Sequence, residues 1–171
     1  MAVKIRPYRP SDKATIVRLF YEFQGYIESL DSLDYSSPKP GFGEFYLKKM
    51  LLRLKKETGV FYVASSRGRI LGFVMASIPK QEKEKTGYDQ VRSGRVLELY
   101  VTTSRRGGGI GSQLLSKAEN YLMSKGCNAI RLEVAGFNTR AHGWYKKLGY
   151  RNRVIDMARD LRQMHQIAKF Q

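Results

Sequence analysis

A chain of 171 residues, 42% of them hydrophobic, is long enough for one domain with a buried core and too short for two ordinary ones, so a single domain over residues 1–171 is expected. Lys and Arg total 31 against 15 acidic residues, giving a net charge of +16 and an isoelectric point near 10.1; such a field attracts phosphates, nucleic acid, acidic lipid or acidic protein and repels polycations. Apolar runs such as VLELYV and ILGFVMASI are too short for a membrane span, no apolar signal core follows Lys4 and Arg6, and the lone Cys127 cannot form an internal disulfide, so a cytoplasmic protein without a membrane partner is expected.

In chain order, AVKIRPY reads as a short strand with Val3 and Ile5 on one face, broken by Pro7 and Pro10 before Ser11 or Asp12 caps a helix. That helix carries Ile16, Leu19, Phe20, Phe23, Ile27 and Leu30 at spacings of three and four, an apolar face for core packing. DYSSPKPGFG is a loop, and EFYLKKMLLRLKKE a second amphipathic helix with Phe45, Leu47, Met50, Leu51 and Leu54 inward. GVFYVASS and RILGFVMASI, joined at Arg67 and Gly68, form an antiparallel hairpin. The charged PKQEKEKTGYDQVRSG has no period and is read as an exposed loop. RVLELYVTT is a further strand, and Ile110, Leu114, Leu115, Ala118 and Leu122 mark a helix that stops at Lys125 and Gly126. NAIRLEV is a strand, TRAHGWYKKL a short helix ending at Gly149, and RNRVIDMARDL a final strand with a tail.

Strand, glycine loop, helix and strand in that order make a βαβ unit with parallel strands. Its loop, SRRGGGIGS, therefore lies at the carboxyl end of a strand and the amino end of a helix, where unpaired amides and the helix dipole favour an anion and side chains would obstruct it. Phosphate is the natural guest, with Arg105 and Arg106 beside it. Gly111 is followed by Ser112 and Gln113, so the lysine of a nucleoside-triphosphate loop is missing; counted from Gly109 and Gly111, the third glycine of a dinucleotide fingerprint falls on Leu114.

The loop instead resembles the acetyl-CoA loop of the GNAT superfamily of N-acetyltransferases: Arg or Gln, two residues, Gly, one residue, Gly or Ala, matched by Arg106, Gly107, Gly108, Gly109, Ile110 and Gly111. LELYV is similar to the strand that precedes it in that family. NTRAHGWYKKLGY is similar to a second family pattern, with Asn138, Ala141, Tyr145, Gly149 and Tyr150 in register. The resemblance implies an α/β (α+β mixed-sheet) GNAT-like acyl-CoA acyltransferase fold, a twisted mixed sheet of about six or seven strands flanked by about four helices, and DMARDL resembles its last strand. It also implies an acetyl-CoA-dependent transferase that acetylates a primary amine by direct attack in a ternary complex, with acetyl-CoA as co-substrate and no metal.

On that resemblance, backbone amides from Arg106 through Gly107, Gly108, Gly109, Ile110, Gly111 and Ser112 hold the pyrophosphate, and the strand edge at Leu99, Tyr100 and Val101 bonds the pantetheine arm as an added strand. Asn138 contacts that arm, and Tyr145 acts beside it as the general acid that protonates the leaving thiolate. Glu98 is the candidate general base; alternation places it opposite Leu97 and Leu99 and on one face with Tyr100. Each role has a plainer rival: Tyr145 packs beside Trp144 and Leu148, Asn138 caps a helix, and Glu98 is a solvent-facing carboxylate. Glu133, Asp31, Asp34 and His142 are lesser candidates, and no spacing suggests a metal site.

The acceptor is expected between the first two helices, DYSSPKPGFG and the loop after Ile78. The net charge argues against polyamines and aminoglycosides. The alternative is a basic RNA- or ribosome-associated module of the same fold, either non-catalytic or acetylating an aminoacyl-tRNA or a ribosomal protein; no RNA-binding motif supports it. Nucleic acid and a second copy of the chain stay open as partners.

Overall fold

The computed structural model describes residues 2–31, 38–80 and 91–157. Its larger compact unit, Met1–Tyr26 with Pro38–Glu133, holds a five-stranded sheet in the order β1 (Lys4–Pro7), β2 (Gly59–Ser66), β3 (Arg69–Ser77), β4 (Ser93–Val101), β5 (Ala129–Arg131). The first four strands are antiparallel neighbours and β4 pairs with β5 in parallel, as a βαβ unit requires. The β2–β3 hairpin turns at Arg67 and Gly68, both at positive φ (49° and 74°), the twist-compatible turn that the sequence predicts.

Side-chain alternation along the sheet sorts the core into two faces. Toward α1 (Lys13–Glu28) and α2 (Phe42–Lys56), Phe61, Val63, Phe73, Met75 and Tyr100 meet Ile16, Leu19, Phe20, Leu47, Met50 and Leu54. Toward α3 (Ile110–Ser124), the buried stripe is the predicted one, Ile110, Leu114, Leu115, Ala118 and Leu122. Gly94 lets α3 approach β4: a Cβ there would lie 2.6 Å from the Leu122 side chain. The helix ends as expected, with Gly126 at φ 79° after the Lys125 cap.

Asp12 does not cap α1 directly. A 3-10 turn over Pro10–Asp12 precedes the helix, and the Asp12 carboxylate reaches back to accept the Arg9 amide (2.8 Å) and both ends of the Arg6 guanidinium (2.7 and 2.8 Å). That fork holds the Asp12 carboxyl below its usual range and raises Arg6, tying β1 to the start of the first helix.

The second unit, Ile27–Ser37 with Val134–Gln171, contains α4 (Thr139–Lys147), closed by Gly149 at φ 90°. Four expectations change. Phe45 and Leu51 face outward on α2, 67% and 37% exposed, because the buried stripe runs Gly43, Leu47, Met50, Leu54 and leaves them on the other side of the 3.6-residue turn. The strand expected over residues 128–134 shortens to Ala129–Arg131. Residues 151–157 form no strand: three polar residues are followed by exposed Val154 and Ile155, without the alternation that would give one face to bury. The rest of DMARDL lies outside the described residues, and among the described residues the sheet has five strands, fewer than the six or seven expected.

Candidate functional site

β4 organises the candidate site within the larger unit. Its parallel pairing with β5 covers only Ser93–Arg95 against Ala129–Arg131, so among the described residues that edge of β4 has no strand partner from Val96 to Val101. On the other edge, Thr102 donates its amide to the Leu71 carbonyl (2.9 Å), and by two-residue alternation the backbone groups of Leu99 and Val101 turn toward the unpaired edge. An extended ligand carrying amides can dock there as a strand would.

Immediately after β4, a 3-10 turn over Thr103–Arg105 leads into Gly107 and Gly109, at φ 84° and 78°. The left-handed backbone favours glycine at both positions, and a Cβ at either would meet nothing within 4 Å: the space above the loop is open. Gly109 is the N-cap of α3 and has no side chain to satisfy the first-turn amides; the first helical bond runs from the Gln113 amide to the Gly109 carbonyl (3.1 Å). The amides of Ile110, Gly111 and Ser112 thus sit at the positive end of a 15-residue helix, a setting suited to an anion.

Arg106 is committed to the scaffold. Its amide donates to the Thr103 carbonyl (3.3 Å), its Nε donates to the Val101 carbonyl (3.0 Å), and its guanidinium lies 4.0 Å from the centre of the Tyr26 ring. The side chain pins the loop to the end of β4 and to α1. On this side the surface sinks into a depression of about 820 Å³, whose lining includes Arg18, Glu22, Arg69 and Arg105.

In the middle of β4 the chemistry comes from side chains. The β3–β4 register shifts between Met75 and Ala76, which pair with Glu98 and Val96, so Leu97 is an extra residue in the ladder. Alternation predicts Leu97 and Glu98 on opposite faces. The bulge instead brings both to the helical face: Leu97 packs against the core cluster, and Glu98 accepts a hydrogen bond from the Tyr46 hydroxyl of α2. Burial pushes the Glu98 carboxyl up to about 7, against the lowering effects of the Tyr46 bond and Arg53. Glu98 is therefore no solvent-facing carboxylate. Tyr100 shares the helical face as expected, but it is 4% exposed, its ring packs against Phe23 and Phe73, and by the same alternation its backbone groups turn toward β3.

Tyr46 is the residue that sequence reasoning missed. The spacing of Phe42, Tyr46 and Met50 by four is the one signal that could have put Tyr46 on the inward side of α2, where Phe45 is expected instead, and nothing local links it to a carboxylate 52 positions away. Phe42 stacks on its ring at 5.3 Å and Phe20 meets it edge-on at 5.1 Å, fixing where the hydroxyl points.

Asn138 and Tyr145 belong to the second unit. Asn138 is buried and caps α4, its Oδ1 accepting the Ala141 amide at 3.2 Å. Tyr145, 9% exposed, packs between Trp144 and Tyr150, with ring centres 4.8 and 5.5 Å away. His142 contacts Asn152 at 2.7 Å, and Glu133 pairs with Arg95 at 3.5 Å. Cys127 is buried, while Asp34 lies outside the described residues. Among the described residues no group of three His, Cys, Asp or Glu side chains could hold a metal, and no helix is long and apolar enough to cross a membrane.

Comparison with known proteins gives a consistent answer. The acetyltransferase (GNAT) family matches over residues 25–150. An uncharacterized N-acetyltransferase of Methanocaldococcus jannaschii is 36% identical over 96 residues, 56% of this chain and 54% of that protein. A mycothiol acetyltransferase of Corynebacterium jeikeium is 35% identical over 82 residues, 48% of this chain and 23% of that protein. The chain thus spans about half the length, or less, of these curated relatives. A solved PaiA N-acetyltransferase from Thermoplasma acidophilum, in complex with coenzyme A, shares the fold at a TM-score of 0.71, covering 91% of this chain and 94% of that one at 20% identity.

Proposed function

Since the chain belongs to the acetyltransferase (GNAT) family, we propose that it is an N-acetyltransferase that takes the acetyl group from acetyl-CoA and delivers it to a primary amine by direct attack. The observation that carries this reading is the junction of β4 and α3, with glycines at positive φ, open space above them and first-turn amides at a helix start. Those amides, from Gly107 through Ser112, receive the pyrophosphate; Arg106 supports the loop from beneath. The unpaired edge at Leu99–Val101 takes the pantetheine amides and so directs the thioester toward the centre of β4. The coenzyme A complex of the Thermoplasma relative supports this choice of donor.

Chemistry at the thioester has three requirements: an unprotonated amine, a stabilised oxyanion and a protonated leaving thiolate. Glu98 takes a proton from the incoming ammonium, and a carboxyl that titrates near neutrality is matched to that task. The amine attacks the acetyl carbonyl, the C–S bond breaks, and Tyr145 gives its phenolic proton to the thiolate. Asn138 contributes a polar contact to the pantetheine arm. Peptide or protein amines and small neutral or acidic amines remain the favoured acceptors, because a charge of +16 repels polyamines at long range.

A screen of amines, peptides and charged tRNA for release of the coenzyme A thiol tests the reading. Acceptor-dependent release is the expected result, and no release with any acceptor, together with a melting temperature unmoved by acetyl-CoA, overturns it. Tyr145→Phe should slow turnover more than it weakens acetyl-CoA binding, since only the transferable proton is removed.

A further inference from the structure

Glu98 is reached by ionisable groups from several directions. Tyr46 and Arg53 approach from α2, Glu133 stands beyond the end of β5, and the cross-strand neighbour on β3 is the uncharged Met75. Among the described residues only Tyr46 makes a hydrogen bond to the carboxylate, and its ring is held by Phe42 and Phe20. Burial and the neighbouring carboxylate keep the phenol of Tyr46 well above its ordinary range, so it remains a donor across the physiological pH range. Arg53 is shared: its Nε donates to Glu57 (3.1 Å), which also accepts from the buried Ser77 hydroxyl (2.8 Å), leaving Arg53 to act on Glu98 only through its charge.

We propose that Tyr46 is a positioning residue for acyl transfer, whose hydroxyl holds one oxygen of Glu98 on the helical face of β4 and thereby sets the pH at which the carboxylate is ready to take a proton. The inference rests on the reading of Glu98 as the base. With one oxygen engaged by Tyr46, the other is the one that receives the proton from the substrate ammonium, giving a neutral amine and a carboxylic acid; the phenol keeps its own proton throughout. A hydrogen bond to the ionised form favours it, so the Tyr46 bond opposes the effect of burial and keeps a desolvated carboxylate usable near neutrality.

The test is a titration of the protein labelled with carboxyl-carbon-13 glutamate, which needs no acceptor. The Glu98 resonance is the one missing from Glu98→Gln. In the wild type it should titrate near 7, and in Tyr46→Phe its midpoint should move upward by about one pH unit, as befits loss of a hydrogen bond to a charged group. Arg53→Gln, which leaves the aromatic stack untouched, should move it upward by less. With the best amine from the acetyl-transfer screen, kcat/KM of Tyr46→Phe should fall about tenfold on the acidic limb and return to within about twofold of wild type on the alkaline plateau. A Tyr46→Phe midpoint equal to wild type, or a rate lowered equally at every pH, overturns the inference and leaves Tyr46 a packing residue. Loss of the acidic limb in Glu98→Gln supports the base reading whichever way Tyr46 turns out. Undiminished turnover in Glu98→Gln overturns the base reading and, with it, the catalytic role of Tyr46, even where the carboxyl midpoint still moves.

Discussion

The two halves of β4 bind chemistry in opposite ways. At the carboxyl end the site is made of backbone: Gly107 and Gly109 contribute the absence of side chains, α3 contributes amides, and Arg106 is spent on holding the loop together. In the middle of the strand the site is made of side chains: Glu98 shares the helical face of β4 with Tyr100, a bulge brings Leu97 to the same side, and Tyr46 meets the carboxylate there. The first arrangement is open and favours a polyanion through dipoles fixed by the fold. The second is half-buried and sets a protonation state. A donor that must only be held suits the former, whereas a base that must change its charge in each turnover needs the latter.

The sharpest way to separate the two is to disable one and measure the other. Glu98→Gln should lower kcat by about 10²–10⁴-fold, the usual loss when a general base is removed, while acetyl-CoA affinity stays within about twofold. Comparable losses in both would mean that the two halves of β4 are not distinct. Arg106→Ala should do the reverse at smaller scale: it removes the bond to Val101 and the contact with Tyr26, so acetyl-CoA binding, measured by calorimetry, should weaken by about tenfold with a smaller effect on saturated turnover.

Acidity gives a third test. Only the middle of the strand titrates near neutrality, so kcat/KM should rise with pH through a midpoint near 7, while acetyl-CoA affinity changes little over the same range. The smallest effect is on stability. Because the Glu98 carboxyl is raised in the folded state, the fold binds more protons than the unfolded chain between the ordinary carboxyl value and about 7; stability is highest below that window and declines as pH rises through 7. Glu98→Gln should therefore gain in melting temperature relative to wild type at pH 8 and not at pH 4. A difference independent of pH would show that Glu98 is not desolvated in the fold.

The same contrast explains what could be read from the sequence. A backbone site announces itself locally: four glycines in five positions, a strand before and a helix stripe after were enough to find the loop, the βαβ unit and the extent of α3. Asn138 was legible as a cap for the same reason, its partner being three residues away. A side-chain site depends on contacts remote in sequence. The Tyr46–Glu98 bond joins positions in different elements, and the bulge at Leu97 leaves no mark in LELYV, where strict alternation places Leu97 on the wrong face. Phe45 and Leu51 failed through a related ambiguity, because α2 is apolar on more than one side and only packing selects Leu47, Met50 and Leu54. Over residues 151–157 the expected final strand does not form, for want of any alternating pattern in RNRVIDM.

The most direct test of the central claim is a calorimetric titration of acetyl-CoA into the wild type and Gly109→Glu. The glutamate places a carboxylate in the open space above the loop, where the pyrophosphate belongs, and meets no protein atom at Cβ; adopting φ 78° costs about 1–2 kcal/mol, which a folded domain of this size tolerates. Saturable binding by the wild type and a loss of at least about 100-fold in a variant that still melts cooperatively is the result this account predicts. Equal affinity in the two proteins, or no binding by the wild type, would contradict it.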